Sequence, residues 1–391
     1  MKYVHLILVN PDENRNCIFN MTELGDCFET EFKRVSARGI KKKYPMKFWD
    51  KIYGDKLKEG YIDKTELVAP VKESSDKYKL IPDEEVRAMF DFLLKAARKA
   101  VSESYSISYD RITPEMVKEA RFLLDKLGKE CDEISTEEAN EILKKIFIAV
   151  PRKMKDVGAM LAGPDSSIKE IYSREDELLS IVQAQVKTNL KCEAPTQDKT
   201  ILDKLSLEIR QCSDKENEKI KEKMGPVAHR FVRAFRVKNL VTEEKFNTYC
   251  RVRGIDDRNI HYYYHGSRNM NYYGLLTEGP KLNPNAPVTG KMFGYGLYYA
   301  NKARKSINYT SVRDAIYNNE SSGKAYLAVY KVAYKNPMHV QHHKSEMCSY
   351  TAAAIKPYDA LFAHGGADLV NDEIIIYEQE AVTIQYLIEI R

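Results

Sequence analysis

The chain has no C-x-x-C pair. Its seven cysteines, Cys17, Cys27, Cys131, Cys192, Cys212, Cys250 and Cys348, stand apart. That argues against a structural zinc site or a disulfide framework and predicts a reducing, intracellular setting. No apolar run approaches the roughly 20 residues a membrane span needs. The stretch Val4–Val9 is too short for a signal-peptide core, so no membrane partner is expected. G-x-S-x-G, the Walker loop, H-E-x-x-H and G-x-G-x-x-G are all missing, which removes the nucleophile elbow, the P-loop, the zincin helix and the Rossmann fingerprint. His364-Gly-Gly has no such elbow to serve, and His342-His343 has no carboxylate or thiol at an obvious ligand spacing; no metal is expected. There is no internal repeat, and no large excess of one charge: the formal net is +5. That permits an anionic partner without requiring one.

What is present is enough chain for two or three cores, 391 residues. The patterns predict an α+β multidomain protein. Residues 1–77 read as a small β-rich module, with Tyr3–Val9 and Cys27–Val35 as strands and Pro11-Asp-Glu-Asn14 as a turn. Its later part is basic, carrying Arg34, Arg38, Lys41, Lys42 and Lys43, and holds the one tryptophan, Trp49. Residues 80–191 read as an all-α helical bundle. Val86, Met89, Phe90, Leu93 and Ala97 recur at helical spacing; Thr113-Pro114 opens a helix that Gly128 ends. Ser135-x-x-Glu138 is a capping box, Pro151 a stop, and Ser173-x-x-Asp176 a further helix start. A polar linker, Cys192–Lys199, precedes a mainly β domain over 198–391. There Leu205, Leu207 and Ile209 alternate as a half-buried strand, and Ser213-x-x-Glu216 opens a short helix. Tyr262–Tyr264, Leu297–Ala300, Ala325–Val332, Ile374–Tyr377 and Ile384–Ile390 read as strands.

Four segments of the last domain combine histidine, tyrosine, serine and glutamate with glycine turns: Tyr264-His-Gly-Ser-Arg-Asn-Met-Asn271, Ala286-Pro-Val-Thr-Gly-Lys-Met-Phe-Gly-Tyr-Gly-Leu-Tyr-Tyr-Ala300, Lys305-Ser-Ile-Asn-Tyr309 and Asn371-Asp-Glu-Ile-Ile-Ile-Tyr377. In order and spacing they resemble the catalytic domain of the poly(ADP-ribose) polymerases. The resemblance implies that NAD+ is consumed as a substrate, nicotinamide being released as ADP-ribose passes to an acceptor. It implies a triad of His265, Tyr298 and Glu373. Glu373 would stabilise the cationic ribose and polarise the acceptor, a role akin to that of carboxylates in glycoside hydrolysis. His265 would hold the adenosine-side ribose. Gly266 and Ser306 would fix the nicotinamide amide between the rings of Tyr298 and Tyr309, with Ser267, Asn271, Gly274 and Lys281 further along the NAD+ site. Lys281 stands where the family commonly has arginine, and Asn371 where it commonly has tyrosine.

The helical segment resembles the regulatory domain that precedes the catalytic domain in DNA-dependent members. Lys56-Leu-Lys-Glu-Gly-Tyr61 and Phe48-Trp49 resemble a WGR domain, although Phe32-Lys33-Arg34 replaces its tryptophan and glycine. This resemblance implies binding of DNA ends or breaks, with Arg34, Arg38, Lys41, Lys42, Lys43 and Trp49 as candidate contacts. The expectation is a DNA-break-responsive polymerase that modifies protein side chains, its own included, and extends the chain. A mono-ADP-ribosyltransferase and an inactive DNA- or NAD-binding relative stay open.

Overall fold

The computed structural model describes residues 2–34, 38–67, 78–190, 199–283, 292–317 and 322–391. Val35, the linker residues 192–198 and the motif residues 286–291 lie outside them. The chain divides into two compact units: one gathers Met1–Ser75 with Lys99–Leu190, the other Asp76–Arg98 with Lys191–Pro284 and Gly290–Arg391. Among the described residues no helix is long and apolar enough to cross a membrane.

The first unit opens with strands β1 (Tyr3–Asn10), β2 (Arg15–Glu23), β3 (Cys27–Arg34) and β4 (Ile40–Pro45), helix α1 (Trp49–Lys58) and the short β5 (Ile62–Asp63). They form an antiparallel sheet in the order β4-β3-β2-β1-β5. Period-2 alternation sends Leu6, Leu8, Phe19, Met21 and Phe28 to one face, where Trp49 and Tyr61 join them. Helix α2 (Glu84–Ser104) comes next in the chain and belongs to the second unit as far as Arg98; its last turns, with α3 (Pro114–Glu130), α4 (Thr136–Ala149) and α5 (Ile168–Leu190), belong to the first. Thr113 and Ser135 cap α3 and α4 as their sequences predict. Two boundaries differ. Helix α3 runs past Gly128, which is buried inside it. Helix α5 begins at Ile168, not near Ser173: Ser167 and Glu170 bond reciprocally to each other's backbone N–H. Two Ser-x-x-acid boxes lie within one stretch of chain, and the earlier one caps the helix. Ser173 then sits inside, its hydroxyl bonded to the Lys169 carbonyl at 3.0 Å.

The second unit contains α6 (Ile201–Lys204), β6 (Leu207–Gln211), α7 (Asp214–Lys223), β7 (Phe231–Asn239), α8 (Leu240–Arg253), β8 (Ile260–Gly266), α9 (Asn269–Glu278), β9 (Leu297–Ala300) and α10 (Ala303–Ile307). Strands β10 (Ala325–Ala333), β11 (Pro337–Val340), β12 (Ala360–Ala363), β13 (Glu373–Ile376) and β14 (Val382–Ile390) complete it. Leu205 is not in a strand. Thr200 and Asp203 form a capping box around α6, Leu205 closes that helix, and β6 starts only at Leu207. One nine-stranded sheet, ordered β11-β12-β13-β9-β8-β10-β14-β7-β6, organises the unit. Among the described strands of this sheet, only β11 and β12 pair in parallel. Its neighbouring strands β10 and β14 are buried along most of their length, as strands covered on both faces are: β10 buries Ala325 to Tyr330 without interruption.

Candidate active site

Three neighbouring strands bring the motif residues together. His265 and Gly266 end β8, Tyr298 and Ala300 lie on β9, and Glu373 begins β13. Tyr264 pairs with Ala300, and Ala300 with Glu373. The ends of β8 and β9 and the start of β13 therefore meet at one place within the sheet. Asn301 fastens that junction by donating to the Asp372 carboxylate at 2.6 Å. Helix α10 leaves β9 and crosses against Gly266. A Cβ at residue 266 would lie 1.8 Å from the Ser306 carbonyl oxygen and 2.7 Å from its carbon, so only glycine permits the crossing.

The crossing leaves a cavity of about 720 Å³, within the size range of small-molecule sites. His265, Gly266, Tyr298, Ser306, Tyr309 and Glu373 all line it. Ser267, Asn271, Gly274 and Lys281 are not in its wall. Asn271 donates to the Ser267 hydroxyl at 3.0 Å, and Lys281 pairs with Glu278. Arg304, Lys305, Tyr317 and Asn371 line it as well. Of these, sequence reading gave no role to Arg304, Lys305 or Tyr317. Lys305 was visible as the neighbour of Ser306; Tyr317 carried no signal at all.

Each polar group has a defined state. His265 Nδ1 faces the Tyr298 carbonyl at 3.1 Å. A carbonyl can only accept, so Nδ1 carries the proton and Nε2 is the acceptor. Burial holds the imidazole below its ordinary value, partly offset by that bond, so the ring is neutral near pH 7. The Tyr298 hydroxyl accepts from the Phe293 N–H and donates to the Gly294 carbonyl, both at 3.0 Å. Burial, and then the charge of Glu373, raise the Tyr309 phenol, which stays protonated. The Lys305 ammonium bonds the Glu373 carboxylate, and both side chains are largely buried. The arrangement offers an anion held at a fixed point, a neutral acceptor and the rings of Tyr298, Tyr299, Tyr309 and Tyr317 around one space. Such a site suits a flat ring joined to a hydroxyl-rich group that becomes cationic. Among the described residues no cluster of three or more His, Cys, Asp or Glu could hold a metal ion.

The basic candidates of the first unit are less uniform. Trp49 is 3% exposed and packs edge-on against Phe28 at 5.0 Å, so its ring belongs to the core and not to a contact surface. The three consecutive lysines lie on a strand and alternate faces. Lys41 and Lys43 stand opposite Glu31 and Glu29 on one face, and Lys41 bonds Glu29 at 2.8 Å. Lys42 lies on the other face, beside Arg15, Phe32 and Tyr44 around a second cavity of about 450 Å³. Arg34 donates to the Asn14 carbonyl, and Arg38 is exposed.

Comparison with known proteins is concentrated on the C-terminal half. The family model described as "Poly(ADP-ribose) polymerase catalytic domain" matches residues 208–391. "Uncharacterized protein 101L" of Invertebrate iridescent virus 6 is 27% identical over 188 residues, 48% of this chain and 79% of that protein. "Poly [ADP-ribose] polymerase 1" of Oryza sativa subsp. japonica is 28% identical over 177 residues, 39% of this chain and 18% of that protein. "Poly [ADP-ribose] polymerase 2" of Homo sapiens is 49% identical over 47 residues, 12% of this chain and 8% of that protein. The matched region thus spans less than a fifth of either named polymerase.

Proposed function

Because residues 208–391 belong to the poly(ADP-ribose) polymerase catalytic-domain family, we propose that the chain is an ADP-ribosyltransferase that consumes NAD+. The observation that carries this reading is the single cavity shared by His265, Tyr298, Ser306, Tyr309 and Glu373, with Glu373 held by Lys305. In the proposed reaction the bond between nicotinamide and ribose breaks heterolytically. Nicotinamide leaves with the electron pair, and the ribose carbon becomes oxocarbenium-like. The Glu373 carboxylate stabilises that charge more than it stabilises the ground state, which is what accelerates the step. An acceptor nucleophile then forms the new bond at the same carbon and gives up its proton. Tyr298 and Tyr309 flank the nicotinamide ring, the Gly266 backbone and the Ser306 hydroxyl meet its amide, and His265 Nε2 accepts from a ribose hydroxyl. The further NAD+ contacts assigned to Ser267, Asn271, Gly274 and Lys281 belong to the same proposal.

We further propose that the acceptors are protein side chains, including the chain's own, that elongation follows, and that DNA ends or breaks stimulate the reaction. Support for the DNA response is the resemblance of residues 1–77 to a WGR domain, with Arg38 and Lys42 as phosphate contacts whose strength would fall with salt. A second reading, transfer of single ADP-ribose units, is favoured by Asn371, which lines the cavity where the family commonly has tyrosine. Labelled NAD+, incubated with the protein with and without nicked or blunt-ended DNA, separates the readings on a gel. A DNA-stimulated ladder is expected. A single shifted band selects mono-transfer, and no label at all sinks both.

The neutral state of His265 sets a pH dependence. Its value is lowered by burial, so the Kd for NAD+ should be flat above about pH 6.5. As pH falls through the lowered value, Nε2 gains a proton and the acceptor is lost. Affinity should then weaken by up to about tenfold per pH unit. Calorimetry between about pH 5 and 8 checks this; binding that tightens in acid would remove the acceptor role.

A further inference from the structure

Of the four tyrosines that line the cavity, Tyr298 and Tyr309, the two assigned to the flat ring, are held in different ways. Tyr298 is pinned through its hydroxyl by the Phe293 N–H and the Gly294 carbonyl. Tyr309 follows α10, is 42% exposed, and its hydroxyl makes no hydrogen bond among the described residues. A tyrosine in that position has two free side-chain torsions and no polar anchor, so nothing of its own fixes the tilt of its ring. What meets it is Tyr317. The two rings stack with centroids 4.8 Å apart and 28° between planes. Tyr317 is itself 65% exposed, and the Tyr317 N–H donates to the Asn308 carbonyl at 3.0 Å, which anchors it to the residue before Tyr309. Both rings line the same cavity. A pair of tyrosines this exposed adds little to the core, so its stacking acts on the cavity and not on the fold.

We propose that Tyr317 is a positioning residue of the flat-ring subsite: by stacking on Tyr309 it fixes the ring that flanks nicotinamide. The inference rests on the NAD+ reading above. Ligand, Tyr309 and Tyr317 would form a continuous aromatic stack, so truncating Tyr317 releases the wall and not the reacting groups. The loss should therefore fall on ring binding, with the chemical step spared.

Nicotinamide affinity by calorimetry, together with KM and kcat for NAD+, tests this on the full chain. For Tyr317→Ala the nicotinamide Kd and the NAD+ KM should rise about 3- to 10-fold, the size of one aromatic pair, with kcat within about twofold. Tyr317→Phe keeps the ring and should match wild type. Wild-type protein that binds nicotinamide while Tyr317→Ala binds it equally well would overturn the positioning role alone. A Phe variant as weak as the Ala variant would also overturn it, since the hydroxyl and not the stack would then be responsible. Wild-type protein that binds no nicotinamide would overturn the NAD+ reading and this role with it.

Discussion

Glu373→Gln is expected to lower ADP-ribosyl transfer by a factor on the order of 10² or more while nicotinamide affinity stays within about threefold. The substitution keeps the shape of the side chain. Glutamine retains a carbonyl oxygen to accept from Lys305, so β13 and its pairing with β9 are undisturbed. Only the negative charge disappears, and with it the group that stabilises a cationic ribose. In a largely enclosed site such a charge acts through a lower dielectric than water, and a hundredfold loss corresponds to about 2.7 kcal/mol of transition-state stabilisation. The selectivity of the effect is the test. Transfer within about tenfold of wild type would deny Glu373 the role. Parallel losses of nicotinamide binding and transfer would point to a collapsed pocket. Retention of a first labelled band with no ladder would place the charge chiefly in elongation.

How far residue order reveals this molecule depends on the range of the interaction. Caps are local, and Thr113, Ser135 and Ser213 can be read without a structure because each box closes within four residues. The same rule misleads when two boxes compete, as Ser167 and Ser173 do, or when a polar box hides in an alternating run, as Thr200 does ahead of Leu205. Strand alternation was available for Lys41, Lys42 and Lys43. Counting charge along the chain merges two faces, one of them already matched by Glu29 and Glu31 across the sheet. Trp49 carried no local sign of burial; its place is set by Phe28, which comes from another strand. At the cavity, six residues chosen for their motif setting come together, since β8, β9 and β13 meet within the sheet and α10, with Ser306 and then Tyr309, crosses over that meeting point. The contacts that tune that wall are long-range or lie in segments without pattern: Lys305 meets a carboxylate far along the chain, and Tyr317 reaches Tyr309 around an irregular turn.

Gly266→Ala should weaken nicotinamide binding by on the order of tenfold or more and transfer by about 10²-fold, the scale at which a displacement near 1 Å disables a site. The added methyl would lie 1.8 Å from the Ser306 oxygen and 3.3 Å from Thr310 Cγ2, so one backbone must retreat. Strand β8 cannot do so cheaply: β10 pairs with it along its whole length, and β9 meets it at Tyr264. Helix α10 is the softer partner, yet Ala303, Ser306 and Ile307 are buried beneath it, and the Ser306 carbonyl accepts the Tyr309 N–H at 3.1 Å. Pushing α10 outward therefore moves Ser306, Tyr309 and Lys305 together, and draws the ammonium of Lys305 away from Glu373. Overpacking of this kind also costs about 1–3 kcal/mol of stability, which a denaturant titration would detect. Gly323→Ala is the control, because a methyl there meets nothing within 4 Å and both affinity and stability should be unchanged. If Gly266→Ala bound nicotinamide as tightly as wild type, β8 and α10 would be free to separate, and the close crossing would no longer explain why glycine stands beside His265.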